Sequence, residues 1–280
     1  MTAAWPHNRS LRVLDIGCGN GRLLGYLAHE LARLHPTIQV ELFGVDVHDH
    51  GVQAHGFFDR AVDDLSASCP GHPWKERLLL IADGDAWPFP DEYFHFVISN
   101  QVLEHVRDHR AFLSELRRTL VGGGISAHLF PLRHYFFEGH LHLPLVHRIR
   151  NTDLLRAYIR TCSRLGLGKY PAHRRESGTT LDAFVEGHAD YMHYFTNYLS
   201  QTEILRLAKQ ARLRVSFRYT VGLYSNKARA MIGRRAALTY RRERSAILDW
   251  LAYVVLRYVS SVTLFLEKDE VYTRARDARA

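Results

Sequence analysis

Residues 11–21 read Leu-Arg-Val-Leu-Asp-Ile-Gly-Cys-Gly-Asn-Gly. An apolar run ends in three glycines, and leucines then recur at helical spacing, which predicts a strand, a tight turn and a helix. Glycines in such a turn let a ligand approach the backbone closely. The third glycine, Gly21, comes one residue too early for the dinucleotide-binding pattern G-x-G-x-x-G, so a dehydrogenase is disfavoured. A carboxylate at Asp15 suits a cationic ligand better than a pyrophosphate.

The composition is that of a globular protein. The chain has 280 residues, of which 46% are hydrophobic. Its three cysteines, Cys18, Cys69 and Cys162, form no C-x-x-C pair, which argues against a disulfide framework and a zinc knuckle. No metal is expected. Three such cysteines and the absence of an apolar signal core in residues 1–10 predict a reducing, cytoplasmic location.

The charge is basic, with a formal net value of +8, and the excess lies mostly between residues 206 and 244. Solvated helix and strand faces are the favoured explanation, and a surface for an anionic partner is the alternative. Such a partner could be a phosphorylated lipid carrier, a glycan or nucleic acid. Residues 246–266 are apolar but contain Asp249 and Arg257, and we interpret them as a buried helix followed by a strand, not a membrane span.

Strands and helices alternate along the first half of the chain. Strand patterns are followed by helical ones up to a fifth strand at residues 125–130, and Gly122–Gly124 are expected to end the helix before it. This rhythm predicts an α/β fold with a doubly wound, mostly parallel, seven-stranded Rossmann-like sheet. The last two strands are expected at residues 213–219 and 262–266.

The rhythm is interrupted after Pro131 and resumes with a helix near Thr202. We therefore predict a cofactor-binding half at residues 1–130, a helical and aromatic insertion at 131–201, and a C-terminal part of the same sheet at 202–280. The insertion is far longer than an ordinary α/β loop and contains an amphipathic helix around residues 154–165. Its aromatic residues at 191, 194, 195 and 198 have helical spacing. It is the expected lid over the substrate.

Acidic residues follow three successive predicted strands. Asp15, Asp46 and Asp83 stand at or just after the strand ends, and such ends meet at one edge of a parallel sheet. A carboxylate at Asp46 can accept hydrogen bonds from both ribose hydroxyls, and one at Asp83 can accept from an adenine amine. Each acid alone could be an ordinary strand-end carboxylate. Together with the glycine loop they indicate a nucleoside site.

Four stretches carry a family resemblance. Residues 13–21, Gly44-Val45-Asp46, residues 82–94 (ADGDAWPFPDEYF) and residues 99–106 (SNQVLEHV) resemble the successive motifs of class I S-adenosylmethionine-dependent methyltransferases. The similarity is to the small-molecule subgroup with "LPF…LEHV" signatures, and it covers about residues 11–130. It implies S-adenosyl-L-methionine as cofactor and says little about the methyl acceptor.

The resemblance also implies roles for individual residues. The methionine end of the cofactor would be held by Asp15 and by the backbone of Gly17, Cys18, Gly19 and Gly21. Asp46 would bind the ribose, and Asp83 with Gly84 the adenine, a role that Asp85 could share or replace. Asn100 and Gln101 would border the methyl group. His105 is the candidate base for an oxygen or nitrogen acceptor, with a packing role as the alternative.

Two positions depart from the family pattern. Trp87 stands where leucine is usual, and it either stacks on adenine or fills a gap in the core. His95 replaces an aspartate, and we expect altered local hydrogen bonding with no loss of chemistry. The glycine motif also begins at residue 11, which leaves little room for N-terminal helices over the cofactor.

Three functions are compatible with these observations. The favoured one is methyl transfer to a small-molecule, glycan or lipid-linked acceptor, at oxygen. The alternative is a nucleic-acid or protein methyltransferase, although the aromatic N-P-P-Y-like stack of amino-directed nucleic-acid enzymes is missing after the fourth strand. A further alternative is a cofactor-binding protein without catalysis. Oligomeric state is not predicted.

Overall fold

A seven-stranded sheet organises the computed structural model, which describes residues 10–47, 56–235 and 245–269. The strand order is β3-β2-β1-β4-β5-β7-β6, and β7 runs antiparallel to both of its neighbours. The strands are β1 (Leu11–Ile16), β2 (Val40–Val47), β3 (Leu78–Ile81), β4 (Phe94–Asn100), β5 (Leu120–Phe130), β6 (Leu213–Ser216) and β7 (Val262–Lys268). The predicted seven-stranded, mostly parallel, Rossmann-like sheet is confirmed.

Ten α-helices surround the sheet within the described ranges. They are α1 (Arg22–Leu34), α2 (Phe57–Ser68), α3 (Trp74–Arg77), α4 (His109–Thr119), α5 (Thr152–Arg164), α6 (Tyr170–Ser177), α7 (Leu181–Tyr194), α8 (Gln201–Gln210), α9 (Tyr219–Met231) and α10 (Ala246–Val259). Short 3₁₀ turns occur at Leu103–His105 and Val146–Arg148. Asp108 caps α4 by accepting from the backbone N–H groups of Arg110 and Ala111.

Both faces of the sheet are covered, because alternate residues of the strands point to opposite sides. On β1, Val13 packs with Leu24 of α1 and with Leu42, whereas Leu14 belongs to a second cluster with Val97 and Phe112. Strands β1 to β3 are added toward one edge of the sheet, and β4 and β5 are added on the other side of β1, so the strand order reverses between β1 and β4. In doubly wound folds the crevice at the carboxyl ends of the strands beside this point is where ligands bind.

The insertion between β5 and α8 has an apolar core of its own. Leu155 and Ile159 of α5 are buried against Phe184 and Val185 of α7. Charge pairs link the same two helices, since Arg156 bonds to Glu186 and approaches Asp190. Arg160 pairs with Asp182 one turn away. This packing gives the insertion a defined shape beside the sheet.

Several predicted boundaries and environments are wrong. The helix before β5 ends at Thr119, and Gly122–Gly124 lie inside β5 beside a register shift against β4, where glycines accommodate an irregular strand. β6 ends at Ser216 because α9 begins at Tyr219. The aromatic set at residues 191–198 is not one helical stripe, because α7 ends at Tyr194 and Tyr198 lies beyond it.

The environment of α10 also differs from the prediction of a buried helix. None of its residues is buried, and several large apolar side chains are exposed. Among the residues described, no helix is long and apolar enough to cross a membrane. The three cysteines are free thiols and buried.

Candidate functional site

A cavity of about 690 Å³ opens at the carboxyl ends of β1, β2 and β3 and beside the turn after β4. It lies at the point where the strand order reverses, as expected for this class of fold. The lining includes eight of the residues singled out from the sequence: Gly17, Gly19, Asp46, Asp83, Gly84, Asp85, Gln101 and His105. Residues from four separate motifs therefore converge on one space.

The glycine loop forms one wall of this cavity. Gly17, Gly19 and Gly21 all have positive φ, at 66°, 53° and 72°, a conformation that favours glycine. A Cβ on Gly17 would lie 2.4 Å from a methyl group of Val102, so the loop needs glycine for packing there. A Cβ on Gly19 would meet nothing within 4 Å. The space above Gly19 is thus open for a ligand to approach the backbone.

Asp46 joins this loop to the end of β2. Its Oδ2 accepts a hydrogen bond from the Gly19 N–H at 2.6 Å, and its Oδ1 accepts from the Val47 N–H at 2.8 Å. The Gly17 N–H donates to the carbonyl oxygen of Val45 at 2.8 Å. These contacts fix the loop against β2 and place a carboxylate on the cavity wall, where a ribose diol could be bound.

Asp15 is only 2% exposed and does not line the cavity. Burial raises the pKa of its carboxyl group to about 8, and the negative charge of Asp46 adds to the increase. A cation bound in the cavity would oppose both effects. The pair of acids therefore suits an ammonium or a sulfonium, which are the two cationic groups of S-adenosylmethionine.

The turn after β3 forms the opposite wall. Asp83 lies 3.3 Å from the guanidinium of Arg107, which comes from the segment after the 3₁₀ turn at 103–105. Gly84 has a φ of 89° and open space beside its Cα. The Oδ2 of Asp85 accepts from the Ala82 N–H at 3.3 Å. Adenine contacts by the two acids that flank Gly84 stay predictions from the sequence.

Arg118 of α4 holds the segment after this turn in place. It donates to the carbonyl oxygens of Trp87 and Phe89 and pairs with Glu115, which in turn accepts from the Trp87 N–H. Trp87 itself is 7% exposed and packs edge-on against Phe112. It fills the core and also contributes to the cavity lining, so both roles considered from the sequence are compatible with its position.

Gln101 follows β4 with a φ of 57°. Its backbone N–H donates to the Leu129 carbonyl at 2.7 Å, and its side-chain amide donates to the hydroxyl of Ser261 at 3.0 Å. Asn100 is exposed and lies outside the lining, as do Asp15, Cys18 and Gly21. Cofactor contacts by these four residues stay predictions from the family resemblance.

His105 lines the cavity and has a defined orientation. Its Nδ1 lies 2.7 Å from the carbonyl oxygen of Phe195, and because a carbonyl oxygen can only accept, Nδ1 carries the proton. In the neutral ring the lone pair is then on Nε2. This is the tautomer that a general base with a fixed ring requires.

A polar cluster from the insertion lies behind His105. The ring of His140 is 5.1 Å from that of His105, and the ring of Tyr191 is within 6 Å of both. Glu138 is fully buried and accepts from His140 Nδ1 at 2.5 Å and from the Tyr198 hydroxyl at 2.9 Å. Burial acts to raise the pKa of Glu138, but the interactions with His140 and the backbone outweigh it and lower that pKa to about 2.

Glu104 precedes His105 and is fully buried. Neither of its carboxylate oxygens has a hydrogen-bond partner among the described residues. Burial raises its pKa to about 8, and the charge of Glu138 contributes to the increase. A protonated, neutral Glu104 is therefore the stable form at neutral pH.

Sequence patterns did not identify several residues of the site. Arg107, Phe112 and Glu115 line the cavity, but they reach it only because α4 and the segment before it lie beside the residues that follow β3. The fold of the insertion places Tyr191 beside His105, and it places Glu138 in contact with His140. The charge of Arg107, directly after the "LEHV" motif, was the one local signal available. At His95 the altered bonding is found: its Nδ1 accepts from the Arg12 N–H at 3.0 Å.

Comparison with known proteins agrees with this geometry. Residues 14–127 match the model of the methyltransferase domain family. This part of the chain is therefore similar to that methyltransferase domain family.

Individual relatives are more distant. The malonyl-[acyl-carrier protein] O-methyltransferase of Geobacter sulfurreducens is 30% identical over 116 residues, which are 41% of this chain and 37% of that protein. The chain thus matches little more than a third of the length of this curated relative. The DszA carbon methyltransferase structure has a TM-score of 0.50 at 14% identity, over 95% of this chain and 49% of that one. A methyltransferase from Mesorhizobium loti has a TM-score of 0.49 at 12% identity, over 94% of each chain.

Proposed function

We propose that the chain transfers a methyl group from S-adenosylmethionine to the oxygen of a small-molecule, glycan or lipid-linked acceptor. The observation that supports this most is the convergence of the Asp46–Gly19 contact and of His105 on one cavity. The first provides a nucleoside-binding wall, and the second places a base within the same space. The identity with an enzyme named as an O-methyltransferase supports oxygen as the acceptor atom.

Cofactor binding is assigned to the walls of the cavity. Asp46 accepts from the ribose hydroxyls, the backbone of Gly17 and Gly19 lies along the methionine portion, and Asp83 with Gly84 contacts the adenine. The ionised carboxylate of Asp15 stabilises the positive charge of the ligand from below the loop. When bound, the cofactor supplies an already activated methyl group, so that positioning and exclusion of water remain for the protein.

His105 is the base in this proposal. Nε2 would accept the proton of an acceptor hydroxyl whose oxygen is to be methylated, while the Nδ1–H bond to Phe195 keeps the ring oriented. The buried carboxylate of Glu138, connected through His140, favours the positive charge that His105 then carries. The proton leaves to solvent after the product departs.

The insertion is proposed to close the acceptor side of the cavity. The Asn197 side chain donates to the carbonyl oxygens of Val106 and Arg107, and its N–H donates to that of Glu104 at 2.6 Å. The insertion is therefore attached to the segment that carries His105. A lid that holds this segment excludes water and fixes the base at the same time.

Two measurements test the proposal. Calorimetry with S-adenosylmethionine and with its demethylated product is expected to show binding of both ligands by the intact chain. Asp46→Asn removes a charged acceptor, worth about 1.5–3 kcal/mol, and should weaken binding of both by roughly ten- to a hundredfold. Asp64→Asn, a change of an exposed acid of α2 outside the cavity lining, is the matched control. Absence of binding to the unaltered chain would refute the proposal.

Incubation with methyl-labelled cofactor and fractionated cell extract then tests catalysis and identifies the acceptor class. Label is expected in a small-molecule, glycan or lipid fraction. Because the proposed acceptor atom is oxygen, the labelled methyl group should be present as an ether or an ester. Label in RNA, DNA or protein would contradict the proposed acceptor class. Cofactor binding without label in any fraction would favour the non-catalytic alternative.

A further inference from the structure

α10 exposes an apolar row to solvent in addition to its partly buried side, on which Tyr253 packs against the core. Ile247, Leu251, Val255 and Val259 recur every four residues, which places them in one row, and all four are exposed. The charged Asp249 and Arg257 are instead half-buried on the side that faces the protein. A surface helix normally directs its apolar row to the core. An exposed apolar row of this length marks an interaction surface.

Aromatic residues border this row. Trp250 is 61% exposed and Tyr258 41% exposed. At the C-terminal end of α10, the Tyr258 carbonyl accepts a hydrogen bond from the Phe136 N–H at 2.8 Å. Phe136 and Phe137 are themselves exposed, with their rings in contact at 4.9 Å. The apolar surface therefore continues from α10 onto the beginning of the insertion.

Positive charge lies beside the same helix. α9 packs against α10 and ends in an exposed segment with Arg229, Arg234 and Arg235, between which Met231 is 88% exposed. In the sequence, residues 229–244 contain six arginines and one glutamate and lead directly into α10. A partner for this region must therefore offer an apolar phase next to a negatively charged one.

An anionic lipid bilayer has this combination of properties. An interfacial helix buries its apolar face at the boundary of headgroups and acyl chains, with Trp and Tyr at that level and Arg at the headgroups. A second copy of the chain fits less well, because a two-fold interface would bring like arginine clusters together on a chain of net charge +8. Nucleic acid would complement the arginines and leave the apolar row exposed.

We propose a docking surface for anionic membranes that consists of α10, Phe136–Phe137 and the arginine segment at the end of α9. α10 has 14 residues and lies in the plane of the interface, since no described helix can span a bilayer. Its C-terminal end leads to Ser261, which accepts from Gln101 at the cavity. The docked protein would hold its cavity next to the lipid headgroups.

Vesicle binding by the whole chain tests this proposal without any assay of methyl transfer. Vesicles of equal parts phosphatidylglycerol and phosphatidylcholine are expected to pellet the protein, whereas vesicles of phosphatidylcholine alone should bind it at least about tenfold more weakly. Leu251→Glu/Val255→Glu should reduce binding to the anionic vesicles by at least about tenfold. Leu154→Glu/Leu165→Glu, on exposed leucines at and beside α5, should leave it unchanged.

Trp250 provides a direct reporter of insertion. Trp74 and Trp87 are buried, and Trp5 lies outside the described residues, so a Trp5→Phe variant leaves Trp250 as the exposed tryptophan. Its emission should shift to the blue with anionic vesicles and become protected from a water-soluble quencher. The Trp250→Phe variant should lose this response while it still pellets with the vesicles.

Three results would contradict membrane docking by this surface. Equal binding of the Leu251→Glu/Val255→Glu variant and the unaltered chain, with both folded by circular dichroism, would overturn the proposal. The proposal would also be overturned if the unaltered chain formed a dimer without lipid and did not bind anionic vesicles, and if the substitutions dissociated that dimer. Binding to RNA that survives the substitutions, with no vesicle binding, would assign the arginines to nucleic acid.

Discussion

The Nδ1 of His105 lies 2.7 Å from the carbonyl oxygen of Phe195, a residue 90 positions later in the chain. This contact connects the last motif of the cofactor-binding half to the end of α7 in the insertion. It fixes the ring and its tautomer together, because the carbonyl oxygen can only accept. The proposed base and the proposed lid are thus connected by one hydrogen bond, and the following predictions separate their contributions.

His105→Ala should lower turnover at saturating cofactor by about a hundredfold, within the range typical of a lost general base. Cofactor affinity, measured by calorimetry, should change little. His193→Ala, on an exposed histidine of α7, is the matched control and should retain normal turnover. Near-normal turnover of His105→Ala would remove this residue from the mechanism.

Asn197→Ala should reduce both turnover and stability, because this side chain connects the insertion to the segment after His105. The substitution removes two hydrogen bonds to the segment after His105 and should cost about 1–2 kcal/mol of unfolding free energy, with a roughly tenfold loss in turnover. Asn151→Ala removes the cap of α5 at a cost of about 1 kcal/mol within the insertion. If both variants lose turnover equally, the attachment to residues 106 and 107 has no special role.

Asp15 should make cofactor affinity depend on pH. Its pKa is raised from 3.8 to about 8 in the folded protein, so the carboxyl group is largely neutral below that value. Affinity for the cationic cofactor should therefore rise with pH through about 8, as the carboxylate forms. Calorimetry across this range with the unaltered chain and with Asp15→Asn measures the effect. An equal pH dependence of the two proteins would show that another group is responsible.

Glu104 should make the ligand-free protein less stable as pH rises. Its pKa is raised from 4.5 to about 8, so between these values the folded state binds more protons than the unfolded state. The sign of the linkage then requires the unfolding free energy to fall with increasing pH in this window. Asp15 acts in the same direction.

Glu104→Gln keeps the shape of the side chain and removes its titration. The variant should have a flatter stability profile and gain about 1–3 kcal/mol relative to the unaltered chain near the upper end of the window. Denaturant unfolding at several pH values measures this difference, with the exposed Glu176→Gln as control. A loss of stability at all pH values would mean that the carboxyl group has a buried partner.

Local patterns in the sequence determined the sheet and the class of the domain. The glycine loop and each strand-end acid are defined by their neighbours in the sequence, and the structure places Gly17, Gly19, Asp46 and Asp83 on one cavity. The alternation of strands and helices likewise determined the doubly wound topology. These features follow from backbone sterics and periodicity, which operate over short segments of chain.

Only the tertiary structure decided which side chains complete the site and which faces stay exposed. Arg107 meets Asp83, Glu138 meets Tyr198, and Gln101 meets Ser261, across separations that no local pattern encodes. The same reason explains the error at α10. Its composition suggested burial, but whether an apolar face is covered depends on how much neighbouring structure packs against it, and that is a property of the whole fold.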